Sequence, residues 1–252
     1  MVENTPDAHF IGPMGSEFWQ IKVPPEAVPL LAWKIDWNVL GRRVMIDPIA
    51  GIISWMNPSG PHVDMTDATD KIVEQAGKIS NVLVKNRRDY RWKKPEDPPN
   101  TGVEADASFY IGEKAERWIA AYRYGGRDAA NAYEKKTPPD LVVEVEVTNL
   151  DENKPTRYAT LGVREMWQVE ELKDQGSYRT NVVVLDLQAR GGPRQVVKSQ
   201  VLPGLPSASL PKAYHLAQAL MLDDLLTLLG KKLVVPQQPV KKKEQPQGGP
   251  RM

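Results

Sequence analysis

The sequence predicts an α/β (α+β) fold, because strand-like and helix-like segments alternate along most of the chain. Residues 141–147 are rich in β-branched side chains and follow a Pro-Pro pair, a pattern typical of a strand. Between residues 62 and 80, apolar residues recur every three or four positions, which indicates an amphipathic helix. Residues 210–229 repeat that helical pattern and end at Gly230, a helix stop signal.

Composition limits the classes of protein and site that this chain can represent. Its 252 residues fit one large domain, or one domain with appendages. The absence of cysteine excludes disulfides and thiolate metal sites, and three histidines argue against a multi-histidine zinc site. With a net charge of +1, affinity for nucleic acid must come from a local patch. No apolar run reaches about 18 residues and the N-terminus lacks a signal-peptide core, so we expect a cytoplasmic protein without a membrane partner.

The N-terminal third is expected to form a hairpin and then a helix. Residues 1–24 mix polar, aromatic, Pro and Gly residues without periodicity, which predicts a loosely structured leader. Residues 42–47 and 51–56 are typical of two strands joined by a turn. The helix of residues 62–80 would present one apolar stripe, and a short strand at 82–84 would follow. The stripe consists of Met65, Ala68, Ile72, Ala76 and Ile79.

A basic segment follows, in which residues 85–94 interleave six cations with two aromatic residues. Lysine and arginine bind phosphates without sequence specificity, and aromatic faces stack on bases. The pattern therefore favours a nucleic-acid contact. The residues that would make it are Arg87, Arg88, Arg91, Trp92, Lys93 and Lys94. An equally good interpretation is a solvated loop or edge strand that its charges keep soluble.

Two later strands carry acidic residues opposite an apolar face. Residues 103–111 alternate in polarity, so Asp106 is expected in the middle of a strand on its polar face. Glu144 and Glu146 share one face of the 141–147 strand, roughly 6–7 Å apart. Carboxylates on an apolar strand cost desolvation energy unless they are paired or bind a cation.

A lysine, Lys154, follows the second of these strands after a short turn. Carboxylates and a lysine at one end of a strand suggest metal-dependent phosphodiester chemistry. The alternative is that Glu144 and Glu146 lie on the solvent face of a sheet, with Asp106 in a surface ion pair.

The rest of the chain supplies the remaining elements of the expected fold. Residues 113–124 predict a helix that a Gly-Gly pair ends, and a polar, exposed region would follow as far as Thr137. Pro155 suits the first turn of a short helix that ends at Gly162. Further strands are expected at residues 165–169, 181–187 and 195–202.

Four stretches carry motifs that occur together in a known family. They are residues 42–62, which end in Asn-Pro-Ser-Gly-Pro-His, the strand VEADASFYI at 103–111, PPDLVVEVEV at 138–147, and NKPTRYATLGVREMW at 153–167. Together they resemble the Uma-two family of the PD-(D/E)XK nuclease superfamily, which is widespread in cyanobacteria and related bacteria. The resemblance covers residues 25–205 and is most specific in the last two stretches.

This resemblance implies a restriction-endonuclease-like core in residues 25–205, a central mixed β-sheet flanked by helices with an N-terminal β-hairpin. Residues 206–235 would form a C-terminal amphipathic helix packed on the domain or on a dimer partner. Residues 236–252, rich in Lys, Gln and Pro, would be disordered.

The resemblance also implies roles for individual residues. The aspartate of the superfamily's Pro-Asp pair corresponds to Asp106, where alanine replaces the proline, and the next acid corresponds to Glu144. The superfamily lysine normally follows two residues later, where this chain has Glu146, and in this family its place moves to the next helix, at Lys154. Asp106, Glu144 and Lys154 are then the expected catalytic residues, with Asp106 and Glu144 as ligands of Mg²⁺ (or Mn²⁺). Accessory roles are expected for Glu146, His62 and Gln168.

The function that follows is a Mg²⁺-dependent, cytoplasmic bacterial endonuclease that hydrolyses DNA as a homodimer, because cutting both strands usually takes two sites. The alternative is a catalytically silent nuclease-fold protein that binds nucleic acid or a protein partner.

Overall fold

The computed structural model describes residues 9–10, 18–27, 43–47, 51–56, 60–87, 91–93, 102–146, 153–174 and 177–231. Within these ranges the chain forms both strands and α-helices. The strands are β1 (His9–Phe10), β2 (Phe18–Lys22), β3 (Arg43–Asp47), β4 (Ile52–Met56), β5 (Val84–Asn86), β6 (Arg91–Trp92), β7 (Val103–Glu104), β8 (Ala107–Ile111), β9 (Leu141–Glu146), β10 (Glu165–Asp174), β11 (Ser177–Asp186) and β12 (Arg194–Gln195). The helices are α1 (Gly60–Ile79), α2 (Glu113–Glu134), α3 (Lys154–Leu161), α4 (Leu210–Gln218) and α5 (Leu222–Gly230).

A six-stranded mixed sheet forms the centre of the fold, with strand order β12-β11-β10-β9-β8-β5. Only β9 and β10 are parallel neighbours, and α3 connects them as the crossover helix that a parallel pair requires. The other neighbouring pairs run antiparallel. This arrangement confirms the expected mixed sheet flanked by helices and is consistent with a restriction-endonuclease-like core.

Both faces of the sheet are covered, and β9 is buried on each of them. Leu141, Val143 and Val145 pack on one face with α1 and the C-terminal helices. Val142 packs on the opposite face with Tyr158 of α3 and other apolar residues. The predicted alternation along this strand is therefore confirmed, but the face that carries Glu144 is not a solvent face.

The C-terminal segment forms two helices, α4 and α5, where the sequence analysis expected one. The break lies at Leu220, whose φ of 57° is left-handed, and the Met221 amide donates to the Leu216 carbonyl 2.9 Å away. This is the hydrogen bond of a Schellman motif, which usually has glycine at the left-handed position. The turn lets both helices pack on α1, where the Tyr214 and Thr69 hydroxyls lie 2.6 Å apart.

The N-terminal strands form a separate four-stranded sheet, in the order β1-β2-β4-β3. The predicted hairpin is present as β3 and β4. Strands β1 and β2, however, lie in the segment expected to be a loosely structured leader, and β2 pairs with all five residues of β4. This pairing joins residues far apart in sequence, so a local pattern does not reveal it.

Three other elements differ from the sequence-based expectation. The strand expected at 103–111 is interrupted at Ala105 and Asp106, which separate β7 from β8. The helix predicted to break at its Gly-Gly pair does break at Gly126, whose conformation is non-helical (φ 67°). What differs is a second arm of α2 that continues to Glu134 and places buried Ala130 in a region expected to be exposed. The strand expected at 195–202 is limited to β12, and the one at 82–84 begins at Val84.

The expected tail, residues 236–252, lies outside the described residues. The division of the chain at residues 25 and 206 remains a prediction. Among the helices that the structure describes, none combines the length and apolar character needed to cross a membrane.

Adjacent leucines of α5 test whether the C-terminal helices belong to the core. Leu225 is fully buried in the main apolar cluster, whereas Leu226 is 37% exposed. We expect Leu225→Ala to lower the free energy of unfolding by about 2–5 kcal/mol, because truncation leaves a cavity. The matched Leu226→Ala change should cost about 0.5 kcal/mol or less. Urea denaturation of both variants measures the difference, and equal losses would contradict the described packing.

Candidate active site

Asp106 lies at the break between β7 and β8, and its buried side chain is anchored from two directions. Its Oδ2 accepts a hydrogen bond from the Val145 amide, 2.6 Å away. The pairing of β8 with β9 ends at Ala107 and Val143. Beyond that pair, the Asp106 carboxylate replaces a β8 carbonyl as the acceptor for the Val145 amide. Its Oδ1 lies 3.1 Å from Nε2 of His62, in the first turn of α1. Asp106 is thereby held beside the C-terminal end of β9.

Glu144 of β9 is 1% exposed, and each of its carboxylate oxygens faces a donor from α3. The Lys154 Nζ lies 2.5 Å from Oε2, and the Tyr158 hydroxyl donates to Oε1 over 2.5 Å. Lys154 and Tyr158 are four residues apart, so they lie on the same side of the helix. Their carboxylate partner comes from the strand immediately before that helix.

The local sequence of α3 explains why it can present these two donors. Pro155 occupies the first turn, where its missing amide hydrogen costs nothing. Gly162 ends the helix with a left-handed conformation (φ 88°) that glycine adopts without strain. Helix α3 is therefore one short rod between β9 and β10, and its beginning lies beside Glu144.

Burial dominates the electrostatics of this cluster. It raises the pKa of Glu144, the nearby Asp106 carboxylate raises it further, and the Lys154 ammonium and the Tyr158 hydroxyl oppose the rise. Burial and the adjacent Glu144 carboxylate raise the pKa of Tyr158 well above its ordinary value. The Tyr158 hydroxyl therefore stays protonated at physiological pH and acts as a donor to Glu144.

Two of the three accessory residues expected from the sequence, Gln168 and His62, are placed beside Glu144 or Asp106. Strand register aligns Gln168 of β10 directly with Glu144, and His62 contacts Asp106 as described above. Glu146 is described only through its backbone, which is aligned with Glu170 of β10.

Two residues of the basic segment, Arg87 and Trp92, make contacts inside the protein. The Nη2 of Arg87 donates a hydrogen bond to Oε2 of buried Glu134 over 2.7 Å, and its Nε lies 2.6 Å from Oε1 in an ion pair. Trp92 is 3% exposed, and its ring meets that of Tyr110 edge-on at 5.8 Å. Trp92 therefore packs in the interior, and the nucleic-acid contact predicted for the segment as a whole stays a prediction. Of the other four residues, Arg88 and Lys94 lie outside the described residues, Arg91 is in β6, and Lys93 is partly exposed.

Tyr158 is the residue of this cluster to which the sequence analysis gave no role. Its signal in the sequence is the four-residue spacing from Lys154, which has a structural meaning only if the segment is helical. His62 was expected only as an accessory residue, yet it contacts Asp106 directly.

Asp106 and Glu144 are the residues of this cluster that could hold a divalent cation. Among the residues described here, no group of three or more His, Asp or Glu side chains is arranged to bind a metal. A hydrated Mg²⁺ needs only one or two carboxylates, since water and substrate phosphate supply the remaining oxygen ligands. The two buried carboxylates at the end of β9 therefore fit the donor chemistry of a hydrated Mg²⁺.

The chain matches one family model, Uma2, whose description is "Putative restriction endonuclease", over residues 35–221. This match spans well over half of the 252 residues and includes all five residues of the cluster. A search of curated proteins found no match.

The raised pKa of Glu144 predicts how folding stability depends on pH. The folded state disfavours the ionised carboxylate, so its stabilising contribution is complete below the ordinary pKa of 4.5 and is lost as pH rises through the folded-state pKa. Glu144→Gln removes this titration. We therefore expect the wild type to lose stability relative to the variant as pH rises from below 4.5.

Urea denaturation of both proteins across a pH series measures this difference. Distant titrating groups contribute equally to both proteins and cancel in the comparison. A wild type that gains stability relative to Glu144→Gln as pH rises would mean that the pKa of Glu144 is lowered, contrary to its burial.

Proposed function

The chain belongs to the Uma2 family of putative restriction endonucleases, and we propose that it is a divalent-metal-dependent endonuclease that hydrolyses phosphodiester bonds of DNA. The proposal rests most heavily on the contact between Lys154 and Glu144, because it joins a cation and a buried acid at the end of the central strand. A buried carboxylate in direct contact with an ammonium group supplies two groups that metal-assisted phosphodiester hydrolysis uses, a metal ligand and a cation beside the phosphate.

Asp106 and Glu144 would hold Mg²⁺ or Mn²⁺ in this proposal. A bound divalent ion polarises the phosphate and lowers the pKa of a bound water. The Val145 amide and His62 orient the Asp106 carboxylate, and Tyr158 orients that of Glu144. Both carboxylates are thus held in position by hydrogen bonds before any substrate arrives.

Lys154 would supply positive charge close to the reacting phosphate. The Lys154 side chain is 15% exposed, so it lies between the buried carboxylate of Glu144 and the solvent. A preorganised cation offsets the negative charge that develops on a phosphate in the transition state. We further propose that the protein acts as a homodimer, because cleavage of both DNA strands usually requires two sites. We also propose that it acts in the cytoplasm.

A second function, binding of nucleic acid or a protein partner without catalysis, is favoured by one observation. Each of the four oxygens of Asp106 and Glu144 already faces a donor. A site satisfied in this way could persist as a stable polar cluster with no chemistry. DNA binding without cleavage would favour this function.

Plasmid nicking in the presence of Mg²⁺ or Mn²⁺ tests the proposed roles. We expect Glu144→Ala and Lys154→Ala each to reduce the rate by at least roughly 100-fold, because each removes transition-state charge stabilisation. Chelation of the divalent ion should abolish nicking. Glu74→Ala and Lys78→Ala are matched controls, since both side chains are exposed on α1, and they should retain the wild-type rate. Nicking that survives both site substitutions would rule out the assignment.

Tyr158→Phe tests the role of the hydroxyl that contacts Glu144. The ring and its packing are retained, and only the hydrogen bond to Oε1 is removed. We expect metal affinity or nicking to fall about 10- to 100-fold, the usual effect of removing a group that orients a metal ligand. Calorimetric titration with Mn²⁺ measures affinity independently of activity. Unchanged affinity and unchanged rate would mean that the hydroxyl serves packing alone.

A further inference from the structure

Helix α2 is bent into a helical hairpin whose tip projects from the domain. Its kink lies at Gly126, and the seven consecutive residues from Tyr122 to Asp128 are all exposed. The two arms are joined near their bases, where the indole of Trp118 donates to Glu134 and the Tyr133 hydroxyl to the Lys114 carbonyl. The exposed tip therefore rests on a packed support.

The tip combines aromatic and cationic side chains. Tyr122 is 53% exposed and Tyr124 is 84% exposed, and Arg123 and Arg127 are exposed beside them. Asp128 is the one acidic residue in this stretch, at its end, and none occurs between Glu116 and Asp128. The side chains of Arg123, Tyr124 and Arg127 make no hydrogen bond, ion pair or ring contact within the described part of the chain. A solvated helix surface typically mixes both signs of charge and does not expose large aromatic rings.

One ring at the tip is already oriented by its neighbours. Tyr122 stacks on Trp118 with a centroid distance of 5.4 Å and an interplanar angle of 7°. The Lys85 ammonium lies 4.3 Å from the centroid of the same Trp118 ring. Because stacking on Trp118 fixes the orientation of the Tyr122 ring, this side chain loses little conformational entropy when another planar group stacks on its exposed face.

The hairpin lies on the face of the sheet that carries Glu144. Its arms pack with Tyr110 of β8, and Leu161 of α3 contacts that cluster as well as the one around Tyr158. Helix α3 also carries Lys154, so the hairpin is a direct neighbour of the helix that supplies the cation of the active site.

We propose that this tip, defined by Tyr122, Arg123, Tyr124 and Arg127, binds a nucleic-acid segment with unpaired bases. The arginines would neutralise backbone phosphates, and the tyrosines would stack on exposed base faces, which is the general chemistry of single-strand binding. This inference rests on the proposed nuclease function and specifies part of its substrate, a single-stranded or locally opened stretch beside the cleavage site. Duplex DNA would satisfy only the arginines, because its bases are already stacked on one another.

Binding of a fluorescent single-stranded oligonucleotide, measured by anisotropy with EDTA present, tests the tip separately from catalysis. We expect Tyr124→Ala to weaken binding roughly 5- to 150-fold, the usual loss for one stacked base, and Tyr124→Phe to restore it. The double change Arg123→Ala and Arg127→Ala should weaken binding and lower the salt slope by about one for each phosphate that is no longer neutralised. Unfolding curves should stay close to the wild type, since these side chains are exposed.

The control is the double change Arg190→Ala and Arg194→Ala, which removes two exposed arginines elsewhere on the domain. It should leave binding unchanged. Three results would each overturn the inference. The first is an equal loss of binding in the control, and the second is equal affinity for single-stranded and duplex DNA with no effect of Tyr124→Ala. The third is an equal affinity for heparin.

Failure of this inference can be distinguished from failure of the proposed function. Metal-dependent nicking by a protein whose oligonucleotide binding is insensitive to the tip variants would overturn the inference alone. Tip-dependent binding by a protein that never nicks DNA would support the tip as a binding surface and contradict the catalytic proposal.

Discussion

The buried carboxylate of Glu144, held by the ammonium of Lys154 and the hydroxyl of Tyr158, constrains much of the surrounding fold. A carboxylate in an apolar interior costs several kcal/mol unless donors replace its hydration. Both donors come from α3, so the helix must begin at a fixed distance from β9 and with a fixed rotation. Gly162 then returns the chain to β10, which aligns with β9 in parallel. The contacts of Glu144 therefore fix the position of α3, and the β9–α3–β10 crossover in turn holds Lys154 and Tyr158 beside Glu144.

The sheet supplies the rest of the environment through its two covered faces. On one face, the apolar stripe of α1 and the helices α4 and α5 bury Val143 and Val145. On the other, Tyr158 and Val142 pack beside the acidic cluster. The pairing of β8 with β9 stops before Val145, and the Asp106 carboxylate occupies the acceptor position that pairing leaves open. The end of a strand ladder thus brings the second carboxylate beside the first.

Local patterns predicted most of the regular elements of the domain. Strand β9 and helices α1 and α3 lie close to their predicted positions, because periodicity, Pro155 and Gly162 act within a few residues. The elements missed depend on distant partners. Strand β2 is specified by β4, and the second arm of α2 is specified by its contacts with the first arm, through Ala130 and Glu134. The ion pair of Arg87 depends in the same way on a distant partner, since its carboxylate is supplied by a residue 47 positions away.

The sequence by itself determined the fold class, the strand that carries Glu144, and the short helix that follows and begins at Lys154. These depend on residue type and short-range spacing, which are readable without coordinates. Only the tertiary structure decided that the face with Glu144 is buried, that Tyr158 and His62 complete the cluster, and that Trp92 is packed while Tyr124 is exposed. Burial and side-chain pairing depend on which distant segments pack together, and a local pattern carries no information about that choice.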